Sequence, residues 1–258
     1  MNLLELEHVS VQRGAKLALR DVSLKIGFGE HVVILGPNGS GKSTLIKLIN
    51  REVYPLLSPK TRMRIAGRET WNVFELRRWL GIVSNDLLAL SVRPVTGLDL
   101  VVSGFFASIG ITPAQHHVTP EMEARAYKAL ERIEALPLAD REMTEMSSGE
   151  QRRVLVARAL VHEPKALLLD EPGNSLDLRA LHDLRESLSR LAREGTGIVL
   201  VTHHLPEIIP EIDRAVFLQD GRVAADGPRA ELLTAERLSA LFAVSPNGMR
   251  LADAAARL

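Results

Sequence analysis

A short apolar run, His31 to Leu35, stops at Gly36 and is followed by Gly36-Pro37-Asn38-Gly39-Ser40-Gly41-Lys42-Ser43-Thr44. The segment fits G-x-x-x-x-G-K-[ST]. No other stretch constrains the fold as strongly, because this pattern works only with a strand before it and a helix after it. The run before the loop reads as a strand buried on both faces. Beyond it, Leu45, Leu48 and Ile49 recur at helical spacing between Gly41 and Asn50. Glycines let a backbone curl until successive N–H groups point at one anion. The new helix brings its positive end to the same place. Lys42 is expected to reach the β- and γ-phosphates of a nucleotide, and the Ser43 hydroxyl to coordinate Mg2+.

The remaining periodicity alternates between two and 3.6 residues. Leu4, Leu6, His8 and Ser10 set against Leu3, Glu5, Glu7 and Val9 predict a first strand, and Ala18 to Ile26 a second. Short strands follow at Arg62–Ala66 and Gly81–Ser84. Residues from about 86 to 160 read as mostly helical, with helices near Leu98–Phe106, Glu121–Leu136 and from Gly149 to about Val161. Then come a strand Ala166–Asp170, a helix Leu178–Arg193, a strand Gly197–Thr202 and a strand pair near Arg214–Gln219 and Arg222–Asp226. Leu178, Leu181, Leu184, Leu188 and Leu191 form one stripe on the long helix, read as core. Alternating β and α units predict an α/β fold with a mostly parallel sheet, interrupted by a helical subdomain.

Composition narrows the functions available. The 258 residues carry 32 Lys plus Arg against 32 Asp plus Glu, so the basic excess usual in duplex-DNA binders is missing. Only 4% of residues are aromatic, which argues against a base-stacking surface. Cysteine is absent, excluding disulfides, Cys-ligated zinc and iron–sulfur clusters. The longest uncharged stretch, Leu100 to Gln115, is too short and polar to span a bilayer, which takes roughly 20 apolar residues. Within it, Leu100–Ile111 with Phe105 and Phe106 reads as subdomain core rather than a docking face. The start of the chain lacks a signal-peptide pattern. His116 and His117, adjacent in sequence, diverge too far for a shared metal and read as a solvated loop. Arg152 and Arg153 are expected on an exposed helix face.

Three further segments carry chemistry. The strand Ala166–Asp170 ends in two acids, Asp170 and Glu171. Asp170 suits a Mg2+ site, and Glu171 is the candidate general base for an attacking water. Met146-Ser147-Ser148-Gly149-Glu150-Gln151 sits at a helix start, with Ser147 or Ser148 as cap. Asn174-Ser175-Leu176-Asp177 and Val201-Thr202-His203-His204 follow. Together with the phosphate loop, and in this order, these segments resemble the signature motif, D-loop and switch-histidine segment of the ATP-binding-cassette (ABC) ATPases. The resemblance covers residues from about 3 to 226.

It implies a P-loop NTPase with a mostly parallel sheet, an N-terminal antiparallel β part and an inserted helical subdomain. The ATPase core would occupy about 1–85 and 161–227, the helical subdomain 86–160 and a short helical tail 228–258, in one domain. ATP and Mg2+ are implied, as is a head-to-tail dimer, with itself or a second ATPase subunit. There Ser147 and Gly149 would contact the γ-phosphate held by the partner, and His203 would orient the water. Membrane permease subunits are the implied partners, at the inner face of the cell membrane, and nucleic acid is not. The resemblance is to importer types, a molybdate- or iron-chelate-like subgroup among them.

Several positions depart from the family pattern. Asn85 stands where a Mg2+-touching glutamine is usual, one bond shorter, so a bridging water is expected there. Arg13 stands where an aromatic residue usually stacks on adenine; a guanidinium can stack too, or be a solvated strand residue. Ser148 replaces a usual Gly and Glu150 a usual Gln. The alternative to a transporter subunit is a stand-alone ABC ATPase of translation or repair. A kinase or GTPase fits less well, since no guanine-reading N-K-x-D is present.

Overall fold

The computed structural model describes residues 2–112 and 114–243. The elements run β1 (Asn2–Arg13), β2 (Lys16–Gly27), β3 (His31–Leu35), α1 (Lys42–Ile49), β4 (Arg62–Ile65), α2 (Val73–Leu76), β5 (Leu80–Val83) and α3 (Asn85–Ser91). They continue with α4 (Gly97–Val102), α5 (Pro120–Arg132), α6 (Ser148–Leu160), β6 (Ala166–Asp170), α7 (Leu178–Arg193) and β7 (Gly197–Thr202). The last are β8 (Arg214–Gln219), β9 (Arg222–Pro228), α8 (Arg229–Leu232) and α9 (Ala235–Phe242). Of the tail expected at 228–258, residues 244–258 lie outside the described residues.

Two compact units share these elements. The first holds residues 1–71 and 197–258, the second 72–196. Residues 72–85 and 161–196, which the sequence pattern assigns to the ATPase core, therefore cluster with the helical segment.

In the first unit, β1 pairs antiparallel with β2 and with β4. β3 runs parallel to both β7 and β8, and β9 closes antiparallel on β8. Flanked on both sides, β3 buries Val32, Val33, Ile34 and Leu35 completely, which is why its sequence shows a continuous run and no alternation.

The hairpin β1–β2 departs from simple alternation. Leu4 and Leu6 are buried, but so are Val9 and Val11, whereas His8 is exposed and Ser10 only half-buried. The core face changes parity at His8, whose φ is 51°. β2 changes parity at Asp21, with φ 55°. Such irregularities insert one residue and reset the register. Leu6 faces Leu24, Val9 faces Val22 and Val11 faces Leu19, so the two slips cancel. His8 Nδ1 lies 2.8 Å from Asp21 Oδ1, and each residue's backbone N–H donates to a serine hydroxyl across the hairpin, Ser23 and Ser10 respectively.

The second unit contains the parallel pair β5–β6 and the helices α2 to α7. Side-chain caps start most of them: Ser84 on α3, Thr96 on α4, Thr119 on α5, Ser147 on α6 and Asp177 on α7. Each side-chain oxygen accepts an N–H of the first turn, which the helix itself cannot satisfy. Helix α3 is absent from the sequence expectation, being too short to show a period. α4 ends at Val102 and continues as a 3-10 turn, Ser103–Phe106, to Ala107 at φ 60°. α5 stops at Arg132, before the expected Leu136, because Glu134 takes φ 54°. Leu100 to Val102 are buried and Phe105 and Phe106 half-buried, so that stretch is mainly core. The leucine stripe of α7 holds at Leu184, Leu188 and Leu191 but not at Leu178, which is 87% exposed. Leu178 occupies the first position after the Asp177 cap, in a turn that runs ahead of the packed part of the helix.

Candidate nucleotide site

The phosphate loop is a close-packed turn between β3 and α1. A Cβ on Gly36 would meet the Leu218 carbonyl oxygen at 2.2 Å and Ser40 Oγ at 2.6 Å, so the chain passes there only without a side chain. Gly41 adopts φ 110°, a conformation open to glycine. Ser40 N donates to the Pro37 carbonyl at 3.2 Å, and Ser40 O accepts from Gly221 N at 2.9 Å. No side chain caps α1 at Gly41. Its first-turn N–H groups therefore face the loop, as an anion site requires. Asn38 and Gly39 are exposed, Pro37 and Thr44 half-buried, and Ser43 is exposed. Ser40 Oγ is buried with no hydrogen-bond partner among the described residues.

Lys42 is buried, and its ammonium donates to the carbonyls of Gly36 at 2.8 Å and Pro37 at 3.2 Å. The cation thus sits across the loop it belongs to. Phosphate oxygens are stronger acceptors for an ammonium than carbonyls, because both partners then carry charge.

His203 also belongs to the first unit, immediately after the buried end of β7. The His204 N–H donates to Thr202 Oγ1 at 2.9 Å, and the two imidazole rings lie 3.8 Å apart. His203 is half-buried and His204 exposed. Arg13 ends β1 at the exposed hairpin tip, paired in register with Lys16.

The second unit carries the other predicted residues. Asp170 ends β6, and Glu171 follows at φ 46°. A left-handed conformation in a residue with a side chain costs about 1–3 kcal/mol, a cost the chain also bears at turns such as Ala107 and Glu134. The turn is closed by Asn174 N donating to Glu171 O at 3.1 Å.

At the signature segment, Ser147 caps α6 in a reciprocal capping box with Glu150. Glu150 Oε2 accepts from Ser147 N at 2.8 Å and from Ser147 Oγ at 2.9 Å, while Oε1 accepts from Arg141 Nη1 at 2.7 Å. Burial raises the Glu150 pKa, but the Ser147 donors and Arg141 outweigh it, leaving the carboxyl below its ordinary range. Gly149 is required by packing, since a Cβ there would lie 2.7 Å from the Ala180 Cβ on α7. Ser148, in place of the usual glycine, donates to the Ser175 carbonyl at 3.4 Å, tying the signature start to the D-loop segment.

Two expectations change. Arg152 is not on an exposed face; it is 1% exposed, because α6 is packed around most of its circumference. Its Nη2 donates to Asn85 Oδ1 at 2.9 Å. Asn85 therefore offers its oxygen to a guanidinium, and that charge disfavours a cation at the same atom. Arg141, Arg152 and Ala180 were invisible as site residues, because only the folded chain brings them to the signature and Asn85. His116 and His117 lie in a loop, as expected, with His116 Nδ1 accepting from Thr112 N at 2.9 Å. Among the described residues no group of three or more His, Cys, Asp or Glu side chains is arranged to hold a metal. No helix of the described residues is long and apolar enough to cross a membrane.

Residues 19–174 match the family model described as ABC transporter. The chain belongs to the ABC transporter family. The cassette is 35% identical over 247 residues to the uncharacterized ABC transporter ATP-binding protein YlmA of Bacillus subtilis (strain 168), covering 93% of this chain and 90% of that protein. It is 33% identical to the hemin import ATP-binding protein HmuV of Bradyrhizobium diazoefficiens, over 99% of both chains. A dimeric ATP-binding cassette solved in a post-hydrolysis state with ADP and Pi superposes with a TM-score of 0.71 at 27% identity, covering 87% of this chain and 98% of that one. The cassette is an ABC-type ATPase with an α/β P-loop fold, and serves as the ATP-binding subunit of a transporter.

Proposed function

We propose that the cassette drives import through separate permease subunits, on the inner face of a membrane, by ATP-dependent pairing of two cassettes. What supports this most directly is that one unit carries the phosphate loop with the uncapped start of α1, and the other carries the signature segment at the start of α6, where Ser147 is the cap. One chain's loop takes the triphosphate and the partner's α6 start meets its γ-phosphate, with Ser147 and Gly149 at the contact. The match to a hemin import protein over both full lengths supports import. The solute is chosen outside this chain.

In this reading Lys42 exchanges its Gly36 and Pro37 carbonyls for β- and γ-phosphate oxygens, and the N–H groups from Gly39 to Thr44 wrap the phosphates. Residues Ser43 and Asp170 would hold Mg2+, the first directly and the second through water; the ion would neutralise phosphate charge. Asn85 stays with Arg152. Glu171 accepts the proton of the attacking water, and His203 orients that water against the γ-phosphate. Arg13, exposed at the hairpin tip, would stack on the base in this reading.

The test is Glu171→Gln. This variant binds ATP, stalls hydrolysis and accumulates a dimer on size-exclusion chromatography. Hydrolysis at the wild-type rate would remove Glu171 from the mechanism. Copurification of the wild-type chain with a polytopic membrane protein tests the transporter role directly.

A further inference from the structure

Glu150 poses an electrostatic problem for the site proposed above. The start of α6 is suited to an anion, yet its third residue is a carboxylate, joined to Ser147 by two hydrogen bonds. The depression beside it, about 330 Å3, is lined by Ser147, Gly149, Glu150, Arg153, Asp177 and Arg179, among others. Asp183 lies on the same wall. Three acids therefore face two arginines, a local excess of one negative charge where a triphosphate is to dock. Arg141 enters from outside this lining. Its Nη1 bonds Glu150 Oε1 at 2.7 Å and its Nη2 bonds the Glu145 carbonyl at 2.8 Å, so the guanidinium is fixed at both ends.

We propose that Arg141 is a positioning residue for ATP: it cancels the Glu150 charge and holds that carboxylate on Ser147, so that the α6 N-terminus accepts a phosphate despite carrying an acid. The proposal rests on the shared-site reading. Its basis is a division of labour between two oxygens. Oε1 is committed to Arg141 and Oε2 to Ser147. With Arg141 gone, Oε1 turns to solvent as a bare charge beside the incoming γ-phosphate. Repulsion between unit charges about 4 Å apart runs from roughly fivefold in affinity in bulk water to nearly a thousandfold at the dielectric near a protein surface; with both side chains partly exposed the shift falls toward the lower end, about tenfold, and salt weakens it.

The experiment uses the full chain carrying Arg141→Ala, Glu150→Gln, both together, Arg141→Lys and Ser147→Arg. The readouts are steady-state ATPase at low and high salt, and ATP-driven dimerisation in the Glu171→Gln background. Arg141→Ala raises the half-maximal ATP concentration about tenfold with little change in the saturated rate, and high salt shrinks the shift. In the Glu150→Gln background the same substitution has no effect. Arg141→Lys, which keeps the charge but cannot span both acceptors, retains most of the wild-type behaviour. A merely structural role would appear as a salt-independent loss that Glu150→Gln does not cure, and that result overturns the proposal, as does an unchanged Arg141→Ala. Ser147→Arg separates the two readings. If it blocks dimerisation while Arg141→Ala changes nothing, Arg141 alone is discarded. If Ser147→Arg still dimerises with ATP, the shared site falls and this proposal falls with it.

Discussion

Substituting Gly149 by alanine isolates packing from phosphate contact at the signature. The added Cβ would lie 2.7 Å from the Ala180 Cβ, whereas carbon atoms rest at roughly 3.5–4.0 Å. The start of α6 must therefore withdraw from α7 by about 1 Å. Overpacking of this kind costs about 1–3 kcal/mol. The better helix propensity of alanine returns about 1 kcal/mol. The net loss is about 0–2 kcal/mol, a fall in Tm of no more than about 8 °C for a chain near this length. Catalysis is more sensitive, since a misplacement of about 1 Å costs on the order of 100-fold in rate. Gly149→Ala should thus lose most ATPase activity while melting only a few degrees early. Ala180→Gly in the same chain removes the offending atom and should restore the rate. Steady-state ATPase assays and differential scanning fluorimetry read both effects. Wild-type activity in Gly149→Ala would refute the packing argument and any requirement for glycine here, whereas a double variant as slow as the single one would move the requirement to the ligand side.

Other perturbations follow from the same structure. Gly36→Ala drives a Cβ to 2.2 Å from the Leu218 backbone oxygen; ATP binding by isothermal titration should vanish, and intact affinity would contradict the loop geometry. Arg152→Met removes a charged hydrogen bond to Asn85 and should cost about 1.5–3 kcal/mol. A double-mutant cycle with Asn85→Ala should show coupling, and simple additivity would mean the bond contributes nothing. His162 is held below its ordinary pKa of 6.5, chiefly by burial and further by Arg125, Arg77 and Arg78, against the Gly104 carbonyl. The unfolded chain takes up this proton first, so the stability tied to neutral His162 is complete above 6.5 and declines as pH falls through that value. His162→Gln should flatten Tm between about pH 7.5 and 5.5 relative to wild type; parallel curves would show that His162 does not set the slope.

The parts of this chain legible from sequence are those whose requirements are local. The loop from Gly36 to Thr44 states its own geometry, since each glycine and the lysine answer to neighbours a few positions away. β3 was equally plain, because a strand flanked on both sides must be apolar throughout. What escaped depends on distant partners. Arg152 reads as a surface cation until Asn85, 67 residues earlier, is seen to receive it. Arg141 carries no motif and matters only because folding sets it against Glu150. Leu178 fits the leucine period yet lies in water, since period fixes a face and not how far along the helix that face is covered. The parity change at His8 is silent for a related reason: no residue type announces an inserted position, and only the opposing strand reveals it.

Those paired irregularities at His8 and Asp21 behave like the two scales of a vernier. Each offsets the ladder by one rung, in opposite senses, and beyond them the original match of Val11 with Leu19 resumes. Each is an extra residue that faces none across the ribbon, so deleting His8 or Asp21, singly or together, would leave Leu6 with Leu24, Val9 with Val22 and Val11 with Leu19. At these two points the ribbon can change length on one strand without disturbing the other.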